Sequence, residues 1–305
     1  MFSYSSLITP PTQLKLTIHS ALLSQNFTEF GWGLTKAPKA IVDKLKKQLH
    51  AGLKIMEEKE KNDPREPHER ESFFIPNDEI NNDIVHELLP LHEAWSGVEL
   101  VPQNTYGLRV YRGDTNLNMH VDITETHVIS SILHVDHSDD EPWPIVIEDF
   151  HGNTNEVFLE SGDMLFYESS KCMHGRPSKF NGAYYSSVFT HYYPVGWNDD
   201  GQLYNNLYAR IPKSWNDRSK KIKNATEHGI TDGSSIVEPE CEHEWCALRE
   251  SLKWHGPAPG YGKVLSGDGK VTNLMNIPSE RSFDRKKSMN PGTSAEVYVQ
   301  GSDDF

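Results

Sequence analysis

Three side chains in this chain could hold a metal together. His120 and Asp122 stand two residues apart in "NMHVDI", and His174 follows 54 residues after His120, in "CMHGRP". On an extended backbone residues i and i+2 share a face, so His120 and Asp122 project into one space. An imidazole beside a carboxylate can bind a metal, relay a proton or sit in a polar loop. Adding a second imidazole narrows the choice. Two neutral nitrogen donors and one hard anionic oxygen on one side of a metal hold Fe(II) without saturating it, and three coordination positions stay open. Those positions admit a bidentate keto acid and O2. His-x-Asp alone is a common tripeptide. What makes the set specific is the later His, placed after "GDMLFY" and before "GRP". With 15 histidines in the chain, any one of them taken singly reads more simply as a surface or hydrogen-bonded core residue.

The elements that must position these groups are short strands. After Gly97 the runs "TYGLRVYR", "HVISSILHVD", "WPIVIEDF", "NEVFLE", "DMLFYES" and "AYYSSVFTHYY" are β-rich. Between them lie "RGDTN", "HSDDEP", "HGNTN", "ESGD" and "FNG", which carry turn chemistry. Many short strands at regular spacing predict a sandwich or barrel, the jelly-roll class included. Before them the spacing of Ile41, Leu45, Leu49, Leu53 and Met56 predicts an amphipathic helix from Pro38 to about Lys61, with Pro38 in the first turn. "IPNDEINNDIVHELLPLHEAW" reads as a second helix capped by Asn77 or Asp78. The opening 35 residues read as irregular, "NDPREPHERE" as a polar break, and "EPECEHEWCALRESLKWH" as one helix. Past Pro257 the chain reads as aperiodic, with "NPGTSAEVYVQGSDDF" a mobile tail. The expected organisation is a helical support region over 1–97, a strand-rich core over 98–197 and an extension over 198–305.

Composition excludes several classes. Among 305 residues 36% are hydrophobic and the mean hydropathy is −0.62. No apolar run approaches the roughly 20 residues of a membrane helix. The first residues lack a basic stretch followed by an apolar one, so no secretory signal is read. Three cysteines make no disulfide framework, which fits a reducing, cytoplasmic setting. The net charge of −14 repels nucleic acid and anionic membrane, and "KLKKQ" and "DRSKKIK" read as solvated faces. A small molecule or a peptide is the expected partner.

Two longer stretches resemble a known family. "LRVYRGDTNLNMHVD" and "LESGDMLFYESSKCMHGRPSKFNGAYYSSVFTHYYP" are similar to the two motif regions of the prolyl 4-hydroxylase-like 2-oxoglutarate/Fe(II)-dependent dioxygenases. Tyr111, the Gly113 turn, Leu117, His120 and Asp122 fall in register with the first; the Gly162-Asp163 turn, His174 and the Gly182 turn fall in register with the second. The resemblance spans Thr105 to Pro194, some 90 residues. It implies an all-β core with flanking helices, a double-stranded β-helix (jelly roll). It implies Fe(II) on His120, Asp122 and His174, 2-oxoglutarate as cosubstrate and ascorbate as an accessory reductant. The implied reaction hydroxylates a C–H bond of an amino acid, a peptidyl proline or a small metabolite and releases succinate and CO2. Related halogenases carry a small residue where Asp122 stands, so Asp122 fits hydroxylation.

The chain departs from the pattern at the cosubstrate. Where prolyl 4-hydroxylases place a Lys ten residues past the distal His, this sequence has Tyr184. A tyrosine hydroxyl brings no charge, and charge-assisted bonds are about twice as strong as neutral ones. Arg176, Lys179 and Arg109 are candidate cations. Arg176 is favoured, because it stands two residues from His174 and shares its face on a strand. Tyr111, Arg176 and Tyr184 are therefore the expected cosubstrate-binding residues. Leu117 replaces a Tyr of the collagen-type enzymes. Glu125 and Thr126 could shape the mouth. His127, His134 and His191 read first as structural, and Trp143, Tyr185 and Phe189 as core. Cys241, His243, Cys246 and His255 lack a true C-x-x-C pair and read poorly as zinc ligands. A non-catalytic, metal-stabilised jelly-roll binding module is the rival reading, and a cupin-like metalloenzyme would want more histidine ligands.

Overall fold

The computed structural model describes residues 24–61, 72–138, 142–197, 251–255 and 258–276. Eight strands form the central framework. They are β3 (Leu100–Tyr111), β4 (Leu117–His120), β5 (Ile129–His137), β6 (Ile145–Glu148), β7 (Thr154–Val157), β8 (Asp163–Tyr167), β9 (His174–Arg176) and β10 (Tyr185–Pro194). Five more are added at the margins: β1 (Trp32–Lys36), β2 (Phe73–Phe74), β11 (Ser251–Trp254), β12 (Lys263–Ser266) and β13 (Val271–Asn273).

The strands divide between two sheets. The larger runs β13-β12-β1-β8-β5-β10-β3-β2, and the smaller runs β11-β7-β6-β9-β4. From β3 to β10 the chain passes from large to small sheet and back repeatedly, and each framework strand pairs antiparallel. That alternation is the winding of a double-stranded β-helix. The jelly-roll expectation holds, and every β-rich run singled out in the sequence contains a strand.

Strand alternation explains the two apolar layers. On β5, Ile132 joins a cluster with Trp143, Ile145, Ile147, Leu165 and Tyr185 that fills the space between the sheets. Leu133 and Val135, one and three residues further along, join the layer beneath the helices. Trp143, Tyr185 and Phe189 all belong to the inner cluster, as expected.

Helix α1 (Lys39–Glu60) covers the outer face of the large sheet. Pro38 caps it, and Ile41, Leu45 and Leu49 recur on one stripe with almost no exposure. Burying each such side chain stabilises the fold by about 1.5–3 kcal/mol. The expected second helix is two: α2 (Asp78–Glu87), with Asn77 at the N-cap position but making no capping side-chain bond, and α3 (Leu89–Ser96). Pro90 lies in the first turn of α3. Its ring and missing N–H break a continuous helix and suit a new first turn. Gly97 ends α3 in the left-handed region, at φ 73°.

The ends of the chain differ from the sequence reading. β1 lies within the stretch taken as irregular, and it sits between β8 and β12. Ser251–Trp254 falls in the stretch whose sequence predicts a helix and is instead a strand, parallel to β7. β12 and β13 occupy the stretch read as aperiodic. Strands of three to five residues carry too few positions to show a period; a neighbouring edge supplies their hydrogen bonds. Both sheets therefore draw on strands outside 98–197. "NDPREPHERE", most of the 238–255 helix, Cys241, His243, Cys246 and the tail lie outside the described residues.

Candidate metal centre

β4 and β9 lie side by side in the small sheet, and His120 is the cross-strand partner of His174. Their rings stand 4.4 Å apart between centroids. Asp122 follows β4 in a loop rather than on the strand, and its backbone N–H donates to Ser169 O at 2.8 Å. That bond turns the carboxylate toward the two rings. Oδ1 of Asp122 lies 3.6 Å from His120 Nε2 and 3.7 Å from His174 Nε2. One donor atom from each residue falls within 4.8 Å of the others. The three expected ligands thus converge, although Asp122 reaches the cluster from a loop.

The donor set fits a divalent metal. His174 Nδ1 donates to Cys172 O at 2.9 Å, which leaves the lone pair on Nε2, the nitrogen near Asp122. Burial, reinforced by His120, lowers the His174 pKa to about 4, so the ring is neutral at pH 7. Burial alone would disfavour the ionised form of Asp122. The surrounding imidazoles of His174, His120 and His191 outweigh it and hold the carboxyl well below the usual range. Oδ2 of this ionised carboxylate is buried with no hydrogen-bond partner among the described residues. A buried carboxylate so poorly served by donors calls for a cation.

Further into the barrel, Arg176 lies opposite Leu117 on β4, two residues from His174. Arg176 is 3% exposed, and its guanidinium sits over the rings of Trp143 and Tyr185, at 4.5 and 4.4 Å from their centroids. One nitrogen donates to Trp143 O, and Nη2 donates to Tyr185 Oη at 3.0 Å. Tyr111 packs edge-on against Trp143, and its hydroxyl is buried without a partner among the described residues. These side chains form a buried polar group among the inner cluster, with a cation and two phenolic hydroxyls.

Tyr184 is not part of it. Its hydroxyl donates to Asp136 Oδ2 at 3.2 Å, beside His50 and Lys46 of α1. Its ring packs on the layer beneath the helices. Counting ten residues from His174 reaches the outward face; Tyr185, one step on, faces inward. Lys179 is exposed, and Arg109 lies over the Tyr111 ring at 4.6 Å.

The remaining histidines sort by contact. His134 stacks on Tyr185 at 4.1 Å and bonds His137 at 2.7 Å. His255 stacks on Phe158 at 4.1 Å. Thr126 engages the His127 ring at 2.7 Å, and Glu125 is half-buried in the same turn. His191, read from sequence as structural, lies 3.9 Å from Asp122 Oδ2. Ser130 and Ser169, which connect to it, were not anticipated. Strand alternation offered one signal: His191 stands two residues from inward-facing Phe189.

Fold and site together define a double-stranded β-helix protein carrying a cluster of two histidines and one carboxylate. No protein-family model matches the chain, and no curated protein does. Solved structures are similar at low identity. HygX from Streptomyces hygroscopicus, solved with nickel and 2-oxoglutarate, is 15% identical; the match covers 55% of this chain and 85% of that one, with a TM-score of 0.41. A Pseudomonas putida prolyl-4-hydroxylase is 12% identical over 60% of this chain and 99% of its own, with a TM-score of 0.36. The viral collagen prolyl hydroxylase of Paramecium Bursaria Chlorella virus-1 is 9% identical over 53% and 95%, at 0.38.

Proposed function

We propose that this protein is a non-haem Fe(II)/2-oxoglutarate-dependent dioxygenase that hydroxylates a C–H bond of an amino acid, a peptidyl proline or a small metabolite. The observation that carries the reading is the convergence of His120, Asp122 and His174 around one point, with an ionised carboxylate among them whose Oδ2 has no hydrogen-bond partner among the described residues. Iron bound there supplies the redox chemistry that couples O2 to decarboxylation of the keto acid and oxidation of the substrate. The chain's own residues do the rest. His174 offers Nε2 because Cys172 O holds the proton on Nδ1. Asp122 offers Oδ1, which lies near both imidazoles.

The keto acid needs a second anchor for its far carboxylate. Arg176 provides a buried charge, and Tyr111 and Tyr185 provide hydroxyls beside it. The Tyr185 hydroxyl accepts from Arg176, so its own proton is available to a carboxylate. A carboxylate placed there gains charge-assisted bonds in a dry environment. The loss of the family's Lys is offset from another strand, which favours the enzyme over the non-catalytic binding module. The test is Fe(II)-dependent release of succinate from 2-oxoglutarate by the purified chain, screened against amino acids and proline-containing peptides. Stoichiometric iron with no succinate under any condition would leave the binding module as the better reading.

A further inference from the structure

One element beside the ligands has a fixed hydrogen-bond polarity. Ser169 Oγ donates to His127 O at 2.7 Å. Ser130 Oγ lies 2.6 Å from Ser169 Oγ and 2.8 Å from His191 Nδ1. Three contacts need three protons. The hydroxyl proton of Ser169 is committed to a carbonyl, so Ser130 must donate to Ser169. Ser130 then has only lone pairs for His191, and His191 Nδ1 must carry the proton. Any other assignment leaves one of these short contacts without a hydrogen.

The ring fixed by this donation to Ser130 packs against the ligand carboxylate. His191 Nδ1 lies 3.9 Å from Asp122 Oδ2, the oxygen turned away from His120 and His174. Both partners are shielded: His191 is 1% exposed, and Asp122 Oδ2 is buried without a hydrogen bond. The His191 ring is held between Tyr106, stacked at 5.1 Å, and His127 at 4.0 Å, so it has little freedom to turn. The same serine that fixes the His191 proton also ties to the Asp122 loop. Ser169 O accepts the Asp122 N–H at 2.8 Å, while its hydroxyl takes part in the chain to His191.

We propose that His191 is a positioning residue for the metal ligand Asp122: its ring, locked by the Nδ1–H donation to Ser130 and through it to Ser169, packs against Oδ2 and restricts rotation of the carboxylate, so that Oδ1 stays turned toward His120 and His174. A carboxylate free to rotate would offer both oxygens to the metal and close one of the positions needed for reactants. Partners of this kind orient ligands and typically change metal affinity by about 10–100-fold when removed. The inference rests on the metal reading of the site.

The test compares His191→Asn, His191→Gln and His191→Leu by titration of the metal-free full chain with Co(II) alone, under conditions where thermal melting shows all folded. Asn places an amide N–H where Nδ1 stands; Gln places it where Nε2 stands; Leu has none. The expected result is a dissociation constant within about threefold of the parent for His191→Asn. For His191→Gln and His191→Leu it is about 10–100-fold weaker. The Co(II) ligand-field spectrum should be kept in the Asn variant and altered in the others. If the Leu variant fails to fold, the Asn and Gln pair decides. Equal affinity and spectra for Asn and Gln, or parental behaviour of the Leu variant, would overturn the proposal for His191 and leave the metal site standing. A parent chain that takes up neither Co(II) nor Fe(II) would overturn both.

Discussion

His120 and His174 face each other across adjacent antiparallel strands, with 4.4 Å between ring centroids, although 54 residues separate them in the chain. Each ring brings Nε2 to within 3.7 Å of one oxygen of Asp122. The register of β4 on β9 makes this pairing, and it commits the site to several measurable behaviours.

The first concerns the metal. Replacing His174 by Ala removes one of three donors and leaves Asp122 and His120 poorly matched to a six-coordinate ion. Fe(II) bound anaerobically at micromolar concentration should fall from near one equivalent to background, read by metal analysis after desalting. Retained iron and turnover in this variant would end the assignment.

The second separates the inward-facing cation at the end of β9 from the outward-facing Tyr184 just before β10. Arg176→Ala should raise the KM for 2-oxoglutarate by about 10–100-fold, the equivalent of a lost charge-assisted bond of roughly 1.5–3 kcal/mol. Co(II) affinity should stay within about threefold. Arg176→Lys, which keeps the charge, should recover part of the loss. Tyr184→Phe should leave KM unchanged, because that hydroxyl serves Asp136 beneath α1. A KM effect from Tyr184 larger than that from Arg176 would reverse the picture.

The third is a pH dependence of stability. His92 donates from Nδ1 to Leu88 O at 2.8 Å, and burial lowers its pKa to about 3. His134 is also pushed well below its ordinary value, by burial first and then by His137 and Arg176. For both, the unfolded chain binds the proton more readily than the folded one. Stability is therefore full above pH about 6.5 and falls as pH drops below it, over a window that for His92 extends to about 3. Each such group contributes a slope of about 1.4 kcal/mol per pH unit within its window. Urea midpoints at pH 7, 6 and 5 should decline in order, and His92→Gln should flatten the decline. A midpoint that rose toward pH 5 would contradict the burial of neutral histidines.

The fourth tests the helical cover. Leu45 is fully buried between α1 and the large sheet. Leu45→Ala should destabilise the apo chain by about 2–5 kcal/mol at unchanged denaturant slope. Co(II) affinity, measured where the variant is folded, should not move, since α1 lies on the far face of the sheet from the ligands.

How much of this was written in the sequence differs from residue to residue. The trio of candidate ligands was legible because its types, order and neighbours are local features: His-x-Asp after a turn, and a His between a strand and "GRP". The framework strands were legible because β-rich runs alternate with turn residues, and α1 because its apolar spacing is long enough to show a period. Tyr184 was misplaced because counted spacing cannot tell which face of a strand a residue takes; pairing of β10 with β3 and β5 sets that, and one step reverses it. The break at Pro90 is also local, but the apolar spacing runs on across it and masks it.

By itself, then, the sequence determined which side chains were available and which stretches would be strands or helices, since those depend on local chemistry and periodicity. Only the tertiary structure decided that Asp122 is held by Ser169, that Arg176 lies between Trp143 and Tyr185, and that His191 packs beside Asp122. Each of these joins residues distant in the chain, so it depends on sheet register and on hydrogen bonds that exist only after the two sheets close.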